Sequence, residues 1–325
     1  MTAKAITPVT ERDIPNLSAW FKDAARIAAQ WGFTPYLRVS VTGECNARCA
    51  FCHNEGSPRH ALGLTIGDYR QLARDAAGIG IRAVKISGGE PCTRPDLPEI
   101  VRAFHDEAFE DISLITNGSL LRPDLQHKLR DAGLHRVSVS VHTLQPARFE
   151  KIMRMKADAL SATMENLETL AVVFSQRVKL NSVFIEGTNF PDEVIPLVTY
   201  ACSLKATLSV LSIVRPNGCT VSLSQAIRRF VEQNFEIVRI ETARKRLVDV
   251  QTLVLKEGGA VELDDFRLDQ AVAIKSGNSY CARCALQGVC TEGPYAFRIT
   301  ADGRFKPCLI RRDNEVEINS PSELS

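Results

Sequence analysis

Between residues 34 and 215 the chain alternates two apolar rhythms. Short runs with strand-like character fall at 37–42, 83–87, 112–116, 136–141, 179–185 and 207–213. Between them, apolar residues recur at helical spacing over 66–77, 97–104, 125–131, 160–174 and 193–203. Six βα repeats predict a parallel sheet, because parallel neighbours need a crossover, usually a helix. Six units are too few for a closed eightfold barrel, so the expected fold class is α/β, a partial (βα)6 TIM barrel. Glycine or a polar residue follows most strands: Gly43, Gly88-Gly89, Asn117-Gly118, His142 and Gly187. Ligands of barrel folds sit at the C-terminal strand ends, so these points are expected to face one cavity. Residues 11–31 read as an amphipathic helix, and 222–250, rich in Arg and Glu, as a second helical stretch. The βα rhythm breaks near 216. The expected organisation is an N-terminal helical extension at 1–33, the barrel at 34–215 and a small C-terminal region at 216–325 over the barrel mouth.

Composition narrows the partners. The 325 residues are 45% hydrophobic and 24% charged, with a net charge of only +2. A strongly basic surface for nucleic acid is therefore not expected. No apolar run approaches the ~18–20 residues that span a bilayer, so no membrane partner is expected. Lys4, Glu11, Arg12 and Asp13 stand where a signal peptide would be apolar, and the expected location is cytoplasmic. In that compartment, clustered cysteines point to metal or redox chemistry rather than to disulfides.

Three of the ten cysteines, Cys45, Cys49 and Cys52, form C-N-A-R-C-A-F-C directly after the first strand. This spacing is neither of the common zinc patterns, which pair CxxC units or mix Cys with His. Fe–S clusters are held by Cys thiolates, and a cubane normally takes four. Three thiolates leave one iron with an open position. CxxxCxxC after a strand resembles the cluster loop of the radical S-adenosylmethionine (SAM) superfamily, and Ser87-Gly88-Gly89-Glu90-Pro91 at the second strand end is a second, ordered match. Thr116-Asn117-Gly118 and Ser138-Val139-Ser140-Val141-His142 extend it, and C-A-F-C-H-N-E-G resembles the archaeal-type molybdenum-cofactor GTP 3′,8-cyclase family.

That resemblance implies a site. A [4Fe–4S] cluster on Cys45, Cys49 and Cys52 would chelate SAM and cleave it reductively to methionine and a 5′-deoxyadenosyl radical. Phe51 would lie by the adenine, with Gly88, Gly89, Glu90, Ser140 and Asn181 contacting SAM. Arg38, Lys85, Thr116, Lys179 and Arg298 would meet the substrate. His142 departs from the Asp usual there. The implied substrate is small, anionic and nucleotide- or nucleoside-like, the implied partner an external flavodoxin- or ferredoxin-like one-electron donor. The outcome would be rearrangement, cyclisation or decarboxylation, by an enzyme of lyase or cyclase type.

A second group, Cys281, Cys284, Cys290 and Cys308, lies near the end of the sequence. By spacing alone it suits a structural zinc ribbon or a second [4Fe–4S] cluster. The string from Phe297 to Leu309 resembles the end of the cyclase's auxiliary-cluster hairpin, which implies Cys281, Cys284 and Cys308 as ligands, with Cys290 as a candidate fourth. Only Arg298 of that family's paired arginines is present. Three readings follow: a radical SAM enzyme on a small anionic substrate, a GTP 3′,8-cyclase, and a maturase of a ribosomal peptide, whose CxxCxxxxxC Cys281, Cys284 and Cys290 spell.

Overall fold

In the computed structural model, residues 35–52, 63–211, 213–214, 220–245, 248–265, 279–282, 284, 287, 296–306, 308 and 316–317 are described, with Arg26 and Gln30. Of the helix expected at 11–31, only Arg26 and Gln30 are described, and both are helical. The six expected strands are present as β1 (Tyr36–Ser40), β2 (Ala83–Ser87), β3 (Asp111–Thr116), β4 (Arg136–Ser140), β5 (Val178–Val183) and β6 (Thr207–Leu211). The helices between them are α1 (Ile66–Gly78), α2 (Leu97–Asp106), α3 (Pro123–Asp131), α4 (Pro146–Met153), α5 (Ala157–Val173) and α6 (Val194–Ser203). Local sequence explains them. Thr65 and Asp68 form a reciprocal capping box at the start of α1, a device that contributes about 1 kcal/mol. In α2, Leu97, Ile100, Val101 and Phe104 repeat at i, i+3, i+4 and i+7 and are fully buried. Each such side chain contributes roughly 1.5–3 kcal/mol by leaving water.

Strands β1 to β6 pair in parallel and in sequence order. The sheet continues past the point where the βα rhythm stops. After the short pair β7 (Ile213–Val214) and β8 (Thr220–Val221) come α7 (Ser224–Asn234), β9 (Ile237–Lys245), β10 (Val248–Leu255) and β11 (Ala260–Asp265). Strand β11 lies parallel to β6, and β10 and β9 follow antiparallel. On the other side β12 (Ala296–Ile299) lies parallel to β1, followed by antiparallel β13 (Arg304–Lys306) and β14 (Val316–Glu317). The order β14-β13-β12-β1-β2-β3-β4-β5-β6-β11-β10-β9 is open at both ends, a partial barrel.

One expectation is corrected. Residues 222–250 are not a single helix: α7 ends at Asn234 and a hairpin follows. The β-branched series Val248, Val250, Thr252 and Val254 has period two, which a pleated strand satisfies and a helix does not.

Alternation along each strand divides the sheet into two faces. Leu37, Val39, Val84, Ile86, Ile112, Leu114, Val137, Val139, Leu180, Leu208, Phe297 and Ile299 belong to the outer apolar core. The residues between them face the barrel interior: Arg38, Ser40, Lys85, Ser87, Ser113, Ser138, Ser140, Lys179, Asn181, Ser209, Glu262 and Arg298. The interior is therefore polar and charged.

Candidate functional site

The loop bearing Cys45, Cys49 and Cys52 leaves the C-terminal end of β1 and is held on two sides. On one side it lies against Gly88 and Gly89. Gly89 N–H donates to Thr42 O at 2.7 Å, and Glu90 N–H to Glu44 O at 2.7 Å. A Cβ on Gly89 would stand 2.1 Å from Glu44 O, and one on Gly88 2.6 Å from Thr42 O. Backbone meets backbone here, and only glycine permits it. On the other side the loop rests on the end of α4. Arg48 N–H donates to Met153 O at 3.1 Å and Ala50 N–H to Ile152 O at 2.9 Å. Cys49 Sγ stands 3.5 Å from Met153 Sδ. Phe149, Ile152, Met153 and Leu160 form a small apolar cluster against which Cys49 and Phe51 pack. The sequence reading missed α4; its signal was Pro146 at the first turn, then Phe149, Ile152 and Met153 at i, i+3 and i+4.

Glu90 is almost fully enclosed, at 1% exposure. It accepts the Thr116 hydroxyl at 2.6 Å, Asn117 N–H at 2.7 Å and Cys92 N–H at 3.0 Å. Burial pushes its pKa up, and these donors act in the opposite direction. The network continues to the cysteine loop, because Asn117 Nδ2 donates to Asn46 Oδ1 at 2.7 Å and Asn46 Nδ2 to Ser119 Oγ at 2.9 Å. Asn46, between two of the cysteines, was not singled out by sequence. Thr116, expected at the substrate, is 2% exposed, and its hydroxyl also accepts Gly118 N–H at 3.0 Å.

The expected basic residues fall into two places. Arg298 on β12 is paired in register with Arg38 on β1, and Arg38 with Lys85 on β2. Lys306 on β13 stands beside Arg298 and extends the row; it is fully buried. The Lys85 ammonium lies 4.9 Å from the Tyr36 ring centre, a cation–π contact. Two positions further across the sheet, Arg136 is bonded to Asp111 through both carboxylate oxygens. Burial pushes the Asp111 pKa up, but Arg136, Lys85 and His135 outweigh it and hold the carboxyl below its ordinary value. Lys179, on β5, stands apart from the row. Its ammonium is paired at 2.6 Å with Glu262 on β11, a partner that no sequence signal named.

Ser140 and Asn181 are register partners at the C-terminal ends of β4 and β5. One step beyond, His142 packs edge-on against Phe51, ring centres 4.9 Å apart and planes at 86°. In the C-terminal group, Cys281, Cys284 and Cys308 are each half-buried. Cys284 N–H donates to Cys281 O at 3.0 Å, a tight turn between the first two. Cys290 lies outside the described residues.

Comparison with known proteins gives a consistent picture. The family model described as the Radical SAM superfamily matches residues 39–198. A protein named probable GTP 3′,8-cyclase from Methanothermobacter marburgensis is 31% identical over 283 residues, covering 86% of each chain. One of the same name from Thermococcus kodakarensis is 32% identical over 292 residues, covering 87% of each. Among solved structures, Streptococcus suis SuiB bound to precursor peptide SuiA superposes with a TM-score of 0.61 at 16% identity, covering 92% of this chain and 65% of that one. Native anSMEcpe with bound AdoMet gives 0.57 at 12% identity, covering 89% and 80%. At such identities the structural likeness concerns the fold.

Proposed function

Because this chain belongs to the radical SAM superfamily, we infer that it is an enzyme whose three-cysteine loop serves the cleavage of SAM for hydrogen abstraction from a small anionic, nucleotide-like substrate. The observation that carries the substrate class is the row Arg298–Arg38–Lys85 on the barrel's inner face, on the strands that flank the origin of the cysteine loop.

The residues fit the groups this chemistry needs. Three thiols on one loop suit a [4Fe–4S] cubane with one open iron. Among the described residues no set of three or more Cys, His, Asp or Glu side chains converges as around a single ion. A cubane does not require that, since each thiolate binds a different iron. Burial pushes the Cys49 thiol up to about 12, with Cys52 and Cys45 pushing the same way. Without iron the thiol is protonated, so cluster binding must release that proton. When bound, the cluster and SAM supply one-electron cleavage to a 5′-deoxyadenosyl radical.

The chain's own residues provide position and exclusion. Gly88, Gly89 and the Glu90–Asn117–Asn46 network fix the cysteine loop against the sheet. Phe51, with Ser140 and Asn181, is assigned to the SAM side of the mouth. Arg38, Lys85 and Arg298 are assigned to substrate phosphate or carboxylate, where guanidinium forks bind oxyanions in pairs. A fixed substrate restricts a primary carbon radical to one C–H bond. Cys281, Cys284 and Cys308, with Cys290, are assigned to a second cluster, and reduction to an external flavodoxin- or ferredoxin-like donor.

The named relatives favour GTP as the first substrate to test. The experiment is anaerobic reconstitution, then dithionite, SAM and GTP, with assay of 5′-deoxyadenosine and the nucleotide product. A GTP-dependent rise with a cyclised nucleotide makes this a GTP 3′,8-cyclase. GTP-independent 5′-deoxyadenosine keeps the radical chemistry and moves the search to another anionic metabolite. No 5′-deoxyadenosine at all overturns the reading.

A further inference from the structure

We propose that His142 is a ligand-recognition residue whose Nε2–H donates a hydrogen bond to an acceptor atom of SAM or of the substrate at the barrel mouth. This deepens the functional reading above and rests on it.

Position comes first. Ser138 and Ser140 lie on the inner face of β4, and Val139 and Val141 on the outer, buried at 0% and 2% exposure. Val141 N–H still bonds Asn181 O at 3.0 Å, so the extended backbone continues past the last strand residue. Period two returns His142 to the inner face, one step above Ser140. Asn189 clamps the place: its Nδ2 donates to His142 O at 2.7 Å and Val183 O at 2.9 Å. The ring then meets Phe51 of the cysteine loop.

Hydrogen bonding fixes which nitrogen carries the proton. Val183 N–H donates to His142 Nδ1 at 3.0 Å. A backbone N–H can only donate, so Nδ1 is an acceptor and the neutral ring holds its proton on Nε2. Burial keeps the ring neutral, with a pKa pushed down to about 4. The residue is only 4% exposed. Among the described residues no group accepts from Nε2, and Nε2 is not one of the fully enclosed polar atoms. It therefore keeps some accessible surface. A nearly buried N–H in that state is matched by an acceptor that arrives with a ligand, such as a carboxylate or phosphate oxygen, a carbonyl, or an unprotonated ring nitrogen.

Two amide substitutions separate this role from a structural one. His142→Asn retains an acceptor near the Nδ1 position, for Val183, and withdraws the outer donor. His142→Gln retains a donor near the Nε2 position and withdraws the inner acceptor. Each variant is reconstituted as full-length enzyme and checked for iron content. SAM affinity is read from the change that SAM produces in the electron paramagnetic resonance of the reduced cluster. GTP is tested by its effect on 5′-deoxyadenosine formation.

The expected result is that His142→Asn loses about tenfold in affinity for one of the two, the scale of one lost hydrogen bond to a buried donor, while His142→Gln stays within about threefold of wild type. A tenfold loss for SAM places the acceptor on SAM. Unchanged SAM affinity with a tenfold higher GTP requirement places it on the nucleotide. An Asn variant that matches wild type in both, or a Gln variant that fails where Asn succeeds, overturns the proposal and leaves His142 as a strand tie. Failure of the functional reading looks different: the wild type itself then makes no 5′-deoxyadenosine.

Discussion

The Thr116 hydroxyl donates to Glu90 at 2.6 Å across the ends of β3 and β2. With Asn117 N–H on its other oxygen, one carboxylate joins two neighbouring strand ends and, through Asn117 and Asn46, the cysteine loop. Glu90→Gln places an NH2 group against a donor that the carboxylate accepts. The variant should lose about 1–3 kcal/mol of stability, read from chemical denaturation. It should also load iron less completely than wild type. Unchanged stability with lost SAM affinity would show instead that Glu90 acts mainly on SAM.

Gly89→Ala should be more damaging than its size suggests. The new Cβ meets the Glu44 carbonyl, which is backbone and must move the cysteine loop with it. Overpacking of this kind costs roughly 1–3 kcal/mol, and iron loading should fall in parallel. Gly78→Ala is the control, because nothing lies within 4 Å of its added carbon. It should be neutral, or stabilising by about 0.4–1 kcal/mol.

Cysteine substitutions divide the two metal groups. Cys45→Ala should abolish 5′-deoxyadenosine formation, whereas the double variant Cys281→Ala/Cys284→Ala should keep SAM cleavage while iron falls from about eight to about four per chain. Iron and sulfide analysis of each variant decides this. A double variant that retains about eight irons would remove the C-terminal group from cluster binding.

Lys179 and Glu262 offer a double-mutant cycle. Their 2.6 Å pair is largely shielded, with side chains 25% and 10% exposed. Glu262→Gln or Lys179→Met alone should cost about 1–3 kcal/mol, because each removes one charge of a largely shielded pair. The combined variant should cost less than the sum. Additive losses would mean that the pair is not coupled.

Histidine 142 sets a pH dependence with a definite sign. Its folded pKa is depressed to about 4 from an unfolded value of about 6.5. Between these values the unfolded chain binds the extra proton, so stability is fully present above about pH 6.5 and falls as pH is lowered toward 4. The full effect is about 3 kcal/mol. Denaturation of His142→Gln and wild type across this range should show a shallower slope in the variant.

The repeating part of the fold was legible because each βα unit carries its own signal. An apolar strand such as 83–87 and an amphipathic helix such as 97–104 declare themselves locally. The three-cysteine loop was legible for the same reason, since its ligands are neighbours in sequence. The Arg and Glu residues of 237–245 obscured the hairpin, since a charged strand at a sheet edge has no buried face to mark it. Glu262 could not be assigned to Lys179 because their meeting depends on β11 entering beside β6. Arg38, Lys85 and Arg298 were each legible as basic residues after the resemblance. Their assembly into one row, with Lys306 added, follows from register alone.

Strand β1 has β2 on one side, within fifty residues, and β12 on the other, more than 250 residues later. During synthesis at roughly 5–20 residues per second, that second edge waits on the order of tens of seconds for its partner. An unpaired edge is a template for wrong pairing. The wait falls on the strand that leads into the cysteine loop, so the first cysteines emerge long before Arg298 and Lys306 complete the basic row beside β1. A nascent chain is therefore exposed to premature metal capture and to intermolecular strand exchange at the same place. Expression yield should respond to slower translation or to chaperones that cover β1, more than to substitutions elsewhere in the sheet.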